Sequence, residues 1–234
     1  MHFRIAGEVF SVLPTVCFGV VVGEGIVQDG RGEQPLTLLR QATGWVRERL
    51  AVVKPKEYPA LVPYREAFRQ LGFNPNKFLN SIEALVTRVV KGNELPDINP
   101  VVNLANAVSL RYLVPMGAHD LDRLVGDIEV RFSRPGERFT PFGEIEAEEV
   151  EPGELVYADA EEVRTRRWIW RQGAKAMITP ASTRVFFPID GFEDANREAV
   201  LAAREELAHL LVELFQARVK TFYLNRDHPE ADLG

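Results

Sequence analysis

The chain has 234 residues, 46% hydrophobic and 26% charged, with 34 acidic against 28 basic side chains and a net charge of −6. That balance fits a globular protein with enough chain for one large core or two small ones, and it argues against a protein that coats nucleic acid through bulk electrostatics. No apolar run approaches the ~18 residues needed to span a bilayer. Cys17 is the one thiol, which suits a reducing cytosol, and the four histidines (His2, His119, His209, His228) lack any cysteine at zinc spacing, so no metal or cofactor is expected.

Phe3 and Ile5 share one face of an opening strand, and Val16, Phe18, Val20 and Val22 share a face of a second. The stretch Val12 to Val22 lacks a basic leader and reads as a buried strand, not a signal peptide, with Cys17 as a small core residue. Gly19, Gly23 and Gly25 read as a turn, because Gln28 breaks the spacing of a G-x-G-x-x-G phosphate loop. Leu36 to Val53 reads as a helix on Leu39, Val46 and Leu50, weakened at Gly44. Pro55, Pro59 and Pro63 mark a linker, which divides the chain into an N-terminal segment, 1–53, packed on a main body, 54–234, within one compact unit.

Tyr64, Ala67, Phe68 and Leu71 then follow an amphipathic spacing that Gly72 stops. Asn80 and Glu83 form a variant capping box before the stripe Ile82, Leu85, Val86, Val89 and Val90, which Gly92 ends. Asn99 to Tyr112 reads as a largely buried helix. After Gly126 the period changes to two at Ile128, Val130 and Phe132, with further strands expected at Leu155–Ala158, Arg166–Trp170 and Arg184–Ile189. The acidic run Glu144 to Glu154 reads as a solvated hairpin. A long helix is expected from Asp194 to Lys220, packed through Val200, Ala203, Leu207, Leu211 and Phe215, before a loose polar tail, Asn225 to Gly234. The order gives an α+β fold: an antiparallel or mixed, partly barrel-like sheet flanked by helices and closed by the long C-terminal helix.

Two places carry candidate chemistry. Arg164 to Gly173 packs four arginines and two tryptophans into an acidic protein. Read as a strand, it puts Arg166, Trp168, Trp170 and Gln172 on one face, where guanidinium would bind phosphate and indole would stack on a base or wall an aminoacyl pocket. The competing reading is a core strand whose arginines pair with acids such as Glu161 and Glu162. His119 beside Asp120 either holds water or a ligand, or caps the turn Asp120–Leu124.

The stretch Asn99 to Ile189 carries a resemblance. Asn99-Pro100-Val101-Val102-Asn103-Leu104-Ala105-Asn106, Pro115-Met116-Gly117-Ala118-His119-Asp120-Leu121-Asp122-Arg123-Leu124 and Leu155-Val156-Tyr157-Ala158-Asp159-Ala160 match, in order and spacing, N-P-V-V-D-V-T-N, P-M-H-A-F-D-L-D-K-L and L-V-I-A-D-A. The chain therefore resembles the B3/B4 domain of the phenylalanyl-tRNA synthetase β subunit, as a free-standing relative without room for the catalytic-core or anticodon-binding modules. The resemblance implies a tRNA or aminoacyl-tRNA partner, with neither membrane nor DNA, and an aminoacyl-tRNA deacylase acting in trans by water attack on the ester; the alternative is a non-catalytic RNA- or amino-acid-binding module. Taken together with the Arg/Trp segment and the His119-Asp120 pair, it gives Asn106 and His119 as catalytic candidates, and Arg166, Trp168, Trp170, Arg171, Gly173 and Asp190 on the substrate or RNA. Asn106 matches the family's pocket asparagine, and Gly173 a glycine of its G-I-M-G-G turn. Ala105 replaces a threonine, Gly117 the family's histidine, and His119 a phenylalanine. Pro188 falls where the family's tyrosine-sensing glutamate stands, with Asp190 the nearest carboxylate. These departures take tyrosine selectivity out of what the resemblance implies.

Overall fold

The alternating apolar run around Phe18 becomes the spine of a sheet because it is paired along its length on both sides. In the computed structural model, which describes residues 1–234, the chain runs through β1 (His2–Ile5), the single turn α1 (Val9–Val12), β2 (Val16–Glu24), α2 (Glu33–Leu50), α3 (Val62–Gln70), α4 (Ser81–Val90) and α5 (Pro100–Tyr112). It continues through β3 (His119–Asp120), β4 (Ile128–Phe132), β5 (Arg138–Phe139), β6 (Glu148–Glu149), β7 (Leu155–Ala158), β8 (Val163–Arg166), β9 (Arg171–Gln172) and β10 (Arg184–Phe192). Helix α6 (Arg197–Phe215), β11 (Arg218–Leu224) and β12 (Glu230–Asp232) complete it. No helix is long and apolar enough to cross a membrane.

Two open sheets result, in the orders β12-β1-β4-β7-β8-β9 and β11-β2-β10-β3, with β5 and β6 as a separate hairpin. Every pairing is antiparallel except β1 with β4, so the six-stranded sheet is mixed and the fold is α+β. The side-chain period of two sorts the layers. Phe18, Val20, Val22, Phe186 and Phe192 belong to the core shared with the six-stranded sheet, where Phe3 meets Phe18 edge-on at 5.8 Å. Val21, Val185, Phe187 and Ile189 point the other way, into a core shared with α5 and α6. The first 53 residues are woven into both layers: β1 lies between β12 and β4, and β2 between β11 and β10.

Several expectations change. Gly19 and Gly23 sit within β2, on the face that receives α6, and only Gly25, at φ +70, turns the chain. A Cβ at Gly19 would lie 2.9 Å from Val200 Cγ1, and one at Gly191 would overlap Val200 Cγ2, so these glycines let α6 approach the sheet. The last helix stops at Phe215 on a left-handed Gln216, and Lys220 belongs to β11, which returns along β2. The tail is ordered too: β12 pairs with β1, and Leu233 is fully buried. Alternating Ala231 and Leu233 were the signal, diluted by charged neighbours.

Gly191→Ala is expected to lower the unfolding free energy by about 2 kcal/mol, because the added methyl has no space between β10 and α6. Gly44→Ala, on a helical site with nothing within 4 Å of the new methyl, is expected to raise it by about 1 kcal/mol. Urea titration of both variants checks this; a neutral Gly191→Ala would contradict the close packing.

Candidate functional site

Antiparallel pairing of β3 with β10 builds the floor of a cleft. His119 is opposite Phe186. One step along, Gly117 N–H donates to Pro188 O at 2.9 Å, and Asp190 N–H donates to Pro115 O at 3.1 Å. Alternation then puts His119, Gly117, Phe186, Pro188 and Asp190 on the face toward the six-stranded sheet. The narrow cleft above them, about 70 Å³, is lined by Gly117, His119, Tyr157, Trp168, Gln172 and Asp190, with the more exposed Ser81, Trp170 and Arg171 at its edge.

Asp190 is 2% exposed and lies at one end. Tyr157 OH and Trp168 Nε1 both donate to its Oδ1, each at 2.6 Å, while its Oδ2 has no hydrogen-bond partner within the chain. Burial pushes its pKa up to about 7, against the lowering effect of the two donors. The backbone is held as well: Tyr64 OH donates to Asp190 O at 2.9 Å and accepts from Asn196 Nδ2 at 2.6 Å.

His119 is 1% exposed, stacked on Tyr157 with ring centroids 6.3 Å apart. Burial, aided by the Arg164 charge, lowers its pKa to about 4, so the ring is neutral near pH 7. Gln172 Nε2 donates to Ala118 O at 2.7 Å and lies 3.4 Å from His119 Nδ1. An amide so oriented turns a donor toward Nδ1, which favours the tautomer with the imidazole proton on Nε2. Nε2 in turn sits 3.3 Å from where a Cβ at Gly117 would be, so the imidazole uses space left by the missing side chain. His119 does not cap the following turn: Asp120 does, accepting from Asp122 N–H at 3.0 Å.

The Arg/Trp segment is a hairpin, not the single strand expected. Residues 167–170 turn between β8 and β9, with Arg167 and Trp168 at φ 45 and 61. The turn drives Trp168 inward until it is fully buried, its N–H donating to Leu155 O at 2.6 Å. Trp168, Trp170 and Gln172 still reach the cleft. Arg166 does not, because Glu154 takes it in a bidentate pair, both contacts at 2.9 Å, and Glu148 takes its remaining nitrogen at 2.5 Å. Arg164 is buried against Asp159, Glu161 and Glu162. These two arginines pair with acids, as the competing reading has it, and Arg166 does not line the cleft. Arg167 lies 4.0 Å over the Phe78 ring and 4.7 Å over that of Trp170. Arg171 remains exposed and pairs with no acid. Gly173 lies behind the cleft, where a Cβ would be 3.1 Å from Phe139 Cε2 and Thr140 O; it permits the backbone crossing at Pro141.

Asn106, on α5, lines a separate apolar depression of about 490 Å³ with Ile98, Phe142, Met177 and Ile178. Met116 and Gln172 line both depressions, so Asn106 and His119 occupy adjoining compartments. Sequence reasoning missed Tyr157 as a site residue. Its signal was a hydroxyl-bearing ring in a strand with every side chain buried.

The sequence profile described as the B3/4 domain matches residues 63–216. The phenylalanine–tRNA ligase β subunit of Idiomarina loihiensis is 32% identical over 101 residues, 43% of this chain and 12% of that subunit. That of Corynebacterium jeikeium is 27% identical over 114 residues, 49% of this chain and 13% of the subunit. The chain thus spans a small part of the length of these relatives. Among solved structures, an N-terminal fragment of the phenylalanyl-tRNA synthetase β subunit from Pyrococcus horikoshii aligns with a TM-score of 0.49 and 11% identity, over 94% of this chain and 53% of that one.

The two buried titratable groups pull stability in opposite directions. Asp190 keeps its proton up to about pH 7 in the folded chain but only to ~3.9 when unfolded, so its contribution falls as pH rises from ~4 to 7. His119 resists protonation down to about pH 4 when folded but takes a proton below ~6.5 when unfolded, so its contribution falls as pH drops through the same window. Asp190→Asn is expected to melt progressively earlier on acidification from pH 6.5 to 4.5, and His119→Gln progressively later, each relative to wild type. Thermal melts across that range check the pair; unchanged profiles in both variants would contradict the assignment.

Proposed function

Because the chain belongs to the B3/4 domain family, we propose that it acts on aminoacyl-tRNA and hydrolyses the ester of a mischarged acceptor end in trans. The observation that carries this reading is a buried cleft, inside the matched stretch, with an imidazole at one end and a carboxyl with a free oxygen at the other.

Ester hydrolysis needs a donor at the developing oxyanion, a placed water and a grip on the acyl group. His119 Nε2–H supplies the donor. A pKa of about 4 keeps the ring neutral, and with Nδ1 facing the Gln172 amide its Nε2–H polarises the carbonyl; as the attacking water forms the new C–O bond and the ester C–O bond breaks, the water's proton passes to the departing ribose oxygen. The free oxygen of Asp190 holds the amino-acid end, and its pKa of about 7 lets that oxygen accept or donate near neutral pH. Trp168 walls the cleft and Trp170 edges it. Asn106, in the adjoining apolar depression, orients the nucleoside, and Arg171 faces the RNA backbone from the rim. The chain has no G-x-S-x-G elbow, and water attack needs no serine or cysteine nucleophile.

Gly117, where the family carries histidine, favours one other reading, a module that binds aminoacyl-tRNA without cleaving it. A panel of mischarged tRNAs separates the two. Hydrolysis of at least one aminoacyl ester is expected, with His119→Gln lowering its rate about 10²-fold, the usual effect of removing one oxyanion donor. Binding of charged tRNA with no cleavage for any amino acid would overturn the hydrolytic reading and leave the binding module.

A further inference from the structure

A third cavity, of about 390 Å³, lies outside the cleft, between α2 and α4, and Arg40, Arg47 and Arg88 converge on it. All three are exposed, and none lies within 4.0 Å of a carboxylate. Arg88 donates to Glu94 O at 2.8 Å and Arg47 to Asn93 O at 3.4 Å, while the Arg40 guanidinium has no partner. Arg164 and Arg166, by contrast, are taken up by acids; what sets Arg40, Arg47 and Arg88 apart is that three guanidiniums unpaired with acids line one cavity. Glu94 and Asp97 also line the cavity, but Asp97 already accepts from Asn103 Nδ2 at 2.7 Å. Arg40 and Arg47 stand two helical turns apart, about 10 Å along α2. Separated guanidiniums with unused donors are suited to phosphates, which they grip bidentately.

The position of this cavity gives it a role. Pro96 lines both it and the apolar depression, as Met116 and Gln172 line both the depression and the cleft. The three hollows therefore follow one another as cationic, apolar and ester-binding. A single-stranded RNA end presents its groups in the same order: backbone phosphates, terminal base, esterified ribose.

We propose that Arg40, Arg47 and Arg88 form the docking site for backbone phosphates of the single-stranded RNA end whose terminus enters the cleft. This rests on the aminoacyl-tRNA reading above. Uncharged tRNA binding to the full chain, measured from low to moderate salt, tests it. The triple variant Arg40→Gln/Arg47→Gln/Arg88→Gln should bind more weakly, with the slope of log K against log salt flatter by about 2, since each phosphate neutralised on a single strand contributes ~0.7 to that slope. The triple variant Arg69→Gln/Arg134→Gln/Arg138→Gln removes the same charge from exposed arginines outside the cavity and should keep the wild-type slope. An unchanged slope in the first variant, equal flattening in both, or no retention of tRNA by wild type would each overturn the site. Cleavage of a 3′-aminoacyl adenosine, which carries no phosphate, is followed with wild type in parallel; its absence would count against the hydrolytic reading alone.

Discussion

Asp190 joins the parts of this molecule that matter for its site. Its carboxyl, on β10 of the four-stranded sheet, accepts from Tyr157 of β7 and from Trp168 of the β8–β9 turn, both in the six-stranded sheet. Its backbone carbonyl accepts from Tyr64 of α3. One residue thus pins two sheets and a helix at the point where the sheets part to leave a cleft. A buried carboxyl is costly to ionise, and two short donors on one oxygen offset part of that cost. The other oxygen is left for whatever enters. The same constraint explains the strained turn: Trp168 adopts a left-handed backbone, disfavoured for a bulky residue, and in return its indole N–H reaches Asp190.

The cleft reads as chemistry because its two polar ends differ in charge behaviour. Burial lowers the pKa of His119, whose Nδ1 faces the Gln172 amide, and raises that of Asp190. Neither is an ion pair with the other; each is tuned chiefly by burial. Gly117 stands where the resemblance puts the family's histidine, and the imidazole two residues on reaches into the space beside it. Pro188, where the resemblance puts the family's sensing glutamate, likewise has a carboxyl two residues on that lines the same cleft. In both cases a shift of two residues along a strand keeps the group on the same face.

Much of the scaffold was legible in the sequence because local signals agreed with one another. Asn80 caps α4 by accepting from Glu83 N–H at 3.0 Å, Asn99 caps α5 in the same way, and Gly72 and Gly92 take positive φ just past the ends of α3 and α4. The alternation in β2 and β10 pointed to their buried faces. What failed was local reading overridden by tertiary contacts. Gly19 and Gly23 looked like a turn because a glycine's role beneath a packed helix leaves no local mark. β12 was missed because three residues among charges are held by pairing with β1 and by the burial of one alanine. The Arg/Trp segment looked like a strand because nothing local shows that Glu154, more than ten residues away, would claim Arg166 and fold the chain back. For the site, residue type and resemblance pointed to His119, Trp168 and Asp190, which line one cleft; their separation from Asn106 into two compartments depends on how β3, β9 and α5 meet, which no spacing encodes.

The most direct measurement is a crystal structure with a non-hydrolysable 3′-aminoacyl-amide adenosine. The expected result places the amino-acid end in the cleft, with its carbonyl oxygen toward His119 Nε2 and its side chain or amino group at Asp190 Oδ2, and the adenine in the apolar depression beside Asn106. A ligand bound elsewhere, or a cleft that stays closed around Trp168 at saturating ligand, would contradict the assignment of this cleft as the place where the ester is held.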